Sequence, residues 1–182
     1  MKKIDARVRY TQTILKQTLL TLLEKKPINK ITVKEVCESA ELNRATFYTH
    51  YTDCFALLES IENDMLEDFT QSLQYIRSLD VSSLLNAIYD MADKNNQACR
   101  ILIFQGDDRK VLGKMVALAR EKSIDYWKSE LKHANDEELS MLYTHLSNGL
   151  LHVVVDGFGK YSREDMTRFV NKVVHCTLDA FK

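Results

Sequence analysis

One proline, Pro27, and five glycines in 182 residues leave this chain nearly free of the residues that interrupt regular structure. A fold of many short strands needs a turn after each one, so the composition argues against extensive sheet. Apolar residues instead recur at i, i+3, i+4 and i+7 from end to end, the spacing of helices that bury one face. An all-α protein is expected. Its apolar content of 45% and charged content of 28% suit a globular chain with a core.

The periodicity places helices at about Val8–Lys26, Thr32–Ala40, Arg44–Tyr51 and Cys54–Leu79. Five more follow near Val81–Lys94, Asn96–Phe104, Asp108–Leu131, Asp136–Phe158 and Ser162–Phe181. In the first, Val8, Leu15, Leu19, Leu22 and Leu23 share a side, and Pro27 stops the chain from continuing. The second carries a capping-box pattern, with the Thr32 hydroxyl accepting from the Glu35 N–H and the Glu35 carboxylate reaching back. Val33, Val36, Cys37 and Ala40 form its inner stripe. Phe55, Leu58, Ile61, Met65, Phe69 and Leu73 are expected to face inward on the fourth. Breaks are expected at Gln105-Gly106-Asp107, His133-Ala134-Asn135 and Gly157-Phe158-Gly159.

The segment from Ile31 to Leu58 is the most informative. Two short helical patterns flank a turn at Glu41 and Leu42, and Asn43 is placed to cap the second of them. That helix is too short to persist alone, so it must be held by its neighbours. Phe47 and Tyr51, four apart, face inward, while Arg44 and Tyr48 share the opposite face with Ala45, Thr46, Thr49 and His50 around them. The arrangement matches a helix-turn-helix, whose second helix enters the major groove of DNA. Arg44 suits the O6 and N7 acceptors of guanine, and Ala45 and the Thr46 methyl suit a thymine methyl. Tyr48 and His50 carry polar tips for phosphate or sugar. Lys34 points outward from the preceding helix, and Thr32 stands at its N-terminus, where a phosphate is favoured.

Charge follows the same division. Residues 1–52 hold ten Lys/Arg against five Asp/Glu, a net +5, and residues 53–182 hold fifteen against twenty-one, a net −6. A basic front on an acidic body fits a phosphate-gripping module, although scattered surface charge would give similar totals. The expected domains are therefore a helix-turn-helix unit over 1–52 and a helical body over 53–182.

These residues resemble the N-terminal domain of TetR/AcrR-type transcriptional regulators. The likeness runs from about Arg9 to Leu58: ITVKEVCESA, then N-R-A-T-F-Y-T-H-Y, then D-C-F-A-L-L, with Thr46, Phe47, Tyr48, His50 and Tyr51 carrying the signature. The resemblance implies a three-helix DNA-binding head on a helical regulatory body. It implies a homodimer on pseudo-palindromic double-stranded DNA, released by a small-molecule effector that the sequence does not identify. Carried over by position, Arg44, Ala45, Thr46, Tyr48 and His50 would be DNA contacts supported by Lys34 and Thr32, and Thr49, around the same face, is a further candidate contact. Phe47 and Tyr51 would be core. The chain departs from the pattern at Glu41, where glycine is common, and at Cys54, where a phosphate-binding lysine is common. A turn lacking the freedom of glycine and fewer phosphate contacts are therefore expected.

The C-terminal half matches less closely. Its Gly149-containing helix and the following S-R-E-D-M-x-x-F stretch resemble the two helices that pair across the family's dimer. Leu146, Leu150, Val153, Val154, Phe169 and Val173 are the expected interface set, though most apolar residues there must serve the protomer's own core. Tyr89, Phe104, Tyr126 and Trp127 are candidates for lining an effector pocket, with ordinary packing as the alternative. His145 and His152 are seven apart, with His133 and His175 elsewhere, which is not ligand spacing, so no metal is expected. No cofactor motif, phosphate loop or nucleophile elbow is present, so no enzyme activity is expected. A helical protein-interaction module with a degenerate DNA-binding head is the competing reading. Scattered cysteines, with Cys37 and Cys176 in apolar stripes, and no secretory or membrane-spanning pattern point to the cytoplasm.

Overall fold

The structure is a computed structural model that describes residues 6–73, 82–94, 96–104 and 110–182. Among these there is no strand, and the fold is all-α. Helices α1 (Ala6–Leu23), α2 (Val33–Ser39), α3 (Arg44–His50) and α4 (Cys54–Ser72) come first. They are followed by α5 (Ser82–Lys94), α6 (Asn96–Cys99), α7 (Lys110–Glu130), α8 (Asp136–Gly157) and α9 (Arg163–Leu178). The expected ends at Leu79, Val81 and Asp108, and the break at Gln105-Gly106-Asp107, lie outside the described residues. Among the described residues no helix is long and apolar enough to cross a membrane.

Two compact units emerge, Met1–Met65 and Leu66–Lys182, with the division inside α4. In the first, α2 packs against both α1 and α3. Leu15, Leu19, Leu20 and Leu22 are the buried face of α1, and Val8 and Leu23 are only half-buried, so the stripe turns slightly from the expected one. The Lys16 ammonium joins α1 to α4 through the Asp64 carboxylate at 2.5 Å. Helix α1 stops at Leu23, before the two lysines, and Ile28–Lys30 forms a single 3-10 turn that leads into α2.

Along α4 the expected inward positions Ile61, Met65, Phe69 and, just beyond its end, Leu73 are buried, and only the first two expected positions differ. Phe55 is 57% exposed, and the inward positions are Cys54, Leu57, Ile61, Met65, Phe69 and Leu73, with Leu58 half-buried. Asp53 Oδ1 caps the helix by accepting from the Ala56 N–H at 2.8 Å.

In the second unit α7 pairs with α8, and α9 packs on both α5 and α8. Met166, Val170, Val174 and Leu178 recur every four residues along α9 as a single buried ridge. Helix α8 starts with a complete capping box, in which Asn135 Oδ1 accepts from the Glu137 and Glu138 amides and the Glu138 carboxylate accepts from the Asn135 N–H. The expected helix Asn96–Phe104 is α-helical only as far as Cys99 and widens to a π-helical stretch over Arg100–Phe104. Cys176 is exposed, against expectation, while Cys37, Cys54 and Cys99 are buried.

Candidate nucleic-acid interface

The site is built from a cap, a turn and one buried ring. Thr32 caps α2 by accepting from the Glu35 N–H at 3.2 Å. The Glu35 carboxylate takes Lys26 Nζ at 2.6 Å as its main partner, with the Thr32 amide a minor contributor. The hydrogen bond from Lys26 holds the Glu35 carboxyl below its ordinary value against the opposing effect of burial, with the Lys26 charge adding to the lowering.

The turn after α2 is a Schellman motif. The Leu42 N–H reaches the Cys37 carbonyl at 2.9 Å and the Glu41 N–H reaches Glu38 at 3.4 Å, with Glu41 at φ +54°. The turn lacks the freedom of glycine, as expected, and Glu41 enters the left-handed region nonetheless. The paired amides require that conformation, and glutamate adopts it where glycine would do so without strain.

Asn43 then caps α3 by accepting from the Ala45 N–H at 2.7 Å. Phe47 is fully buried, and Tyr51 is 8% exposed with its ring centroid 6.0 Å from that of Phe47. The Tyr48 ring meets Phe47 edge-on at 5.7 Å, so packing orients it while it remains 57% exposed. Arg44, Ala45, Tyr48 and Thr49 are exposed, and Thr46 and His50 are half-buried. The expected inner and outer faces of α3 are both present. Thr49 spends its hydroxyl proton on the Ala45 carbonyl at 2.9 Å, leaving its methyl and lone pairs to the outside. Burial pushes the Cys37 thiol up, while the Arg44 charge pulls the other way.

Electrostatics are less one-sided than the 1–52 total suggests. Lys34 lies 3.7 Å from Glu38, and Lys16 and Lys26 are also ion-paired. Residues 53–65 add four carboxylates and no Lys/Arg, so residues 1–65 hold ten against nine, a net +1. Arg44, Lys25 and Lys30 make no ion pair among the described residues. Cys54 is only 4% exposed, and burial pushes its thiol up to about 11, so this position contributes to the core instead of reaching for phosphate.

No protein-family model matches the sequence. Over 59 residues the chain is 37% identical to the HTH-type transcriptional regulator YxbF of Bacillus subtilis (strain 168), a match covering 32% of this chain and 16% of that protein. Among solved structures, the dihydroxyacetone kinase operon activator DhaS superposes with a TM-score of 0.64 at 17% identity, over 94% of this chain and 98% of the other. A TetR/AcrR-family regulator from Aquifex aeolicus VF5 does so with a TM-score of 0.63 at 13% identity, over 92% and 99%. The chain has the TetR/AcrR fold. The proteins that share it here are transcriptional regulators rather than enzymes.

The expected interface set divides. Leu146 and Val154 lie in the protomer's own core, and Leu150 and Val173 are half-buried against it. Phe169, at 51%, and Val153, at 36%, are exposed. The effector candidates also divide: Tyr89 is buried, Trp127 packs against the same core cluster, and Tyr126 is half-buried outside it. The side chain of Phe104 lies outside the described residues. Sequence reading missed the Tyr143 hydroxyl, which donates to the Val116 carbonyl at 2.6 Å, and a set of bonds from Arg163 to α5. Neither has a local signal, because the partners are 27 and more than 70 residues away.

Proposed function

We propose that this chain is a DNA-binding transcriptional regulator that acts as a homodimer on a pseudo-palindromic operator and represses until a small molecule enters its body. Residues 1–52 form the reading head, and residues 53–182 the regulatory and dimerising part. The observation that carries the reading is the division of α3, with Phe47 and Tyr51 buried while Arg44 and Tyr48 point to solvent. Arg44, Ala45 and Thr46 read base edges, and Tyr48, Thr49, His50, Thr32 and Lys34 grip sugar and phosphate. Lys34 must leave Glu38 to do so, a small cost because both side chains are solvated. Two heads spaced about one helical turn, roughly 34 Å, would read the two half-sites. Val153 and Phe169, with the half-buried Leu150 and Val173, supply the partner-facing patch. Tyr89, Trp127, Tyr126 and Phe104 serve the effector.

Operator selection from random duplexes, followed by fluorescence anisotropy, tests the head. Arg44→Ala should cost about 1–3 kcal/mol and relax preference at one base pair of each half-site, while Lys34→Ala should reduce the salt slope by about one. A binding profile unchanged by Arg44→Ala removes the arginine from the site. A reporter fused to the selected operator then decides repression against activation.

A further inference from the structure

The seam between α5 and the start of α9 holds a cluster that DNA reading does not use. Arg163 Nε donates to Asn86 Oδ1 at 2.9 Å. Its Nη2 donates to the Asn86 carbonyl at 2.9 Å and to the Asp90 carboxylate at 2.8 Å. The same guanidinium stands 5.5 Å from the centroid of the Tyr89 ring, which also stacks on Phe158 at 5.7 Å and 17°. Tyr89 is 8% exposed, and its hydroxyl, sealed from solvent, has no hydrogen-bond partner among the described residues. Arg163 Nη1 has none among them either.

Two features of this cluster point to a ligand. A buried hydroxyl without a partner is a desolvated group that the closed seam leaves unsatisfied. Beside it, an arginine fork whose natural complement is a carboxylate is occupied by one from its own chain. That carboxylate, Asp90, is the outermost member, with its side chain 70% exposed. Tyr89 belongs to the same buried apolar cluster as Leu85, Met166 and Val170.

We propose that this seam is a carboxylate-binding site held shut by Asp90. A ligand with an apolar body and a carboxylate replaces Asp90 on Arg163, accepts the hydrogen bond that Tyr89 has free, and lays its apolar part against Leu85 and Phe158. The proposal rests on the effector-responsive reading above and names the class of effector. Exchange of Asp90 for the ligand removes one of the two α5 residues that Arg163 holds, which supplies the difference in contacts that a ligand needs to shift an equilibrium.

Trp127 is the single tryptophan and packs against the cluster that holds Tyr89, so its fluorescence reports on the full-length protein without DNA. Titration with octanoate and with phenylacetate, each against its neutral amide, should give a saturable change, the carboxylates binding about tenfold more tightly. Asp90→Ala should tighten carboxylate binding by about fivefold, because it frees the fork. Tyr89→Phe should weaken it about tenfold while raising the melting temperature of the ligand-free protein, because the unpaired hydroxyl is gone. A residue that only held the fold would not give these opposite signs. No saturable response to either carboxylate overturns the proposal. So does equal affinity for acid and amide, or an Asp90→Ala variant that binds no more tightly than the parent. Failure in this DNA-free titration leaves the reading head untouched, and a head that selects no operator leaves the titration unchanged.

Discussion

Replacing Glu41 by glycine removes the Cβ from the residue that holds positive φ, +54°, in the turn between α2 and α3. An L-residue in the left-handed region costs roughly 1–2 kcal/mol relative to the right-handed one. The greater freedom of glycine in the unfolded chain returns about 0.4–1 kcal/mol of that. The expected net gain is about 0.5–1 kcal/mol for the first unit. The carboxylate contributes nothing to set against it, since it makes no hydrogen bond or ion pair among the described residues. Native-state hydrogen exchange gives a local readout at the Leu42 N–H, bonded to the Cys37 carbonyl at 2.9 Å, and at the Ala40 N–H, bonded to Val36 at 2.9 Å. A gain of about 0.7 kcal/mol slows exchange there about threefold where local opening governs it. Glu41→Ala is the control: it removes the charge, keeps the Cβ and should not slow exchange. Equal slowing in both variants, or none with glycine, refutes the assignment of strain to this backbone conformation.

Asn43→Ala should cost about 1 kcal/mol by removing the acceptor of the Ala45 N–H. Faster exchange at the α3 amides checks it, and parent-like exchange would mean that the cap is idle. Lys26 depresses the Glu35 carboxyl in the folded state, so folding binds fewer protons there. Its stabilisation is present above the ordinary carboxylate pKa and is lost as pH falls through the depressed folded value. Glu35→Gln should therefore close the gap to the parent in urea midpoints measured from about pH 6 down to about pH 3, and a constant offset counts against the pair. Gly157→Ala places a Cβ against Met166 Cε and 3.0 Å from the Tyr161 ring, and should destabilise the body by about 1–3 kcal/mol. Gly113→Ala, with nothing within 4 Å, should stabilise α7 by up to about 1 kcal/mol. Thermal melts of the pair must move in opposite directions.

Helix α3 was legible in the sequence because its signals are short-range. Asn43 meets the Ala45 amide two residues on, and Phe47 and Tyr51 meet across a single turn. Phe55 was misassigned for a related reason: two adjacent apolar residues, Cys54 and Phe55, fit the helical period almost equally well. The burial of Leu57, one turn on from Cys54, goes with Cys54 facing the core and Phe55 the surface. Cys176 was misread likewise, since apolar spacing cannot distinguish a core-facing position from one left at the surface.

Local chemistry in the chain determined the helical class, the N-terminal helix-turn-helix and which side of α3 is buried, because hydrogen bonds and side-chain contacts within one or two turns govern them. Only tertiary structure decided that Leu146 and Val154 belong to the protomer's own core, and that Arg163 grips Asn86 and Asp90. Those outcomes depend on segments up to 77 residues apart meeting in one packed arrangement. The free energy of such contacts is set by geometry between helices, and no window along the chain contains both partners.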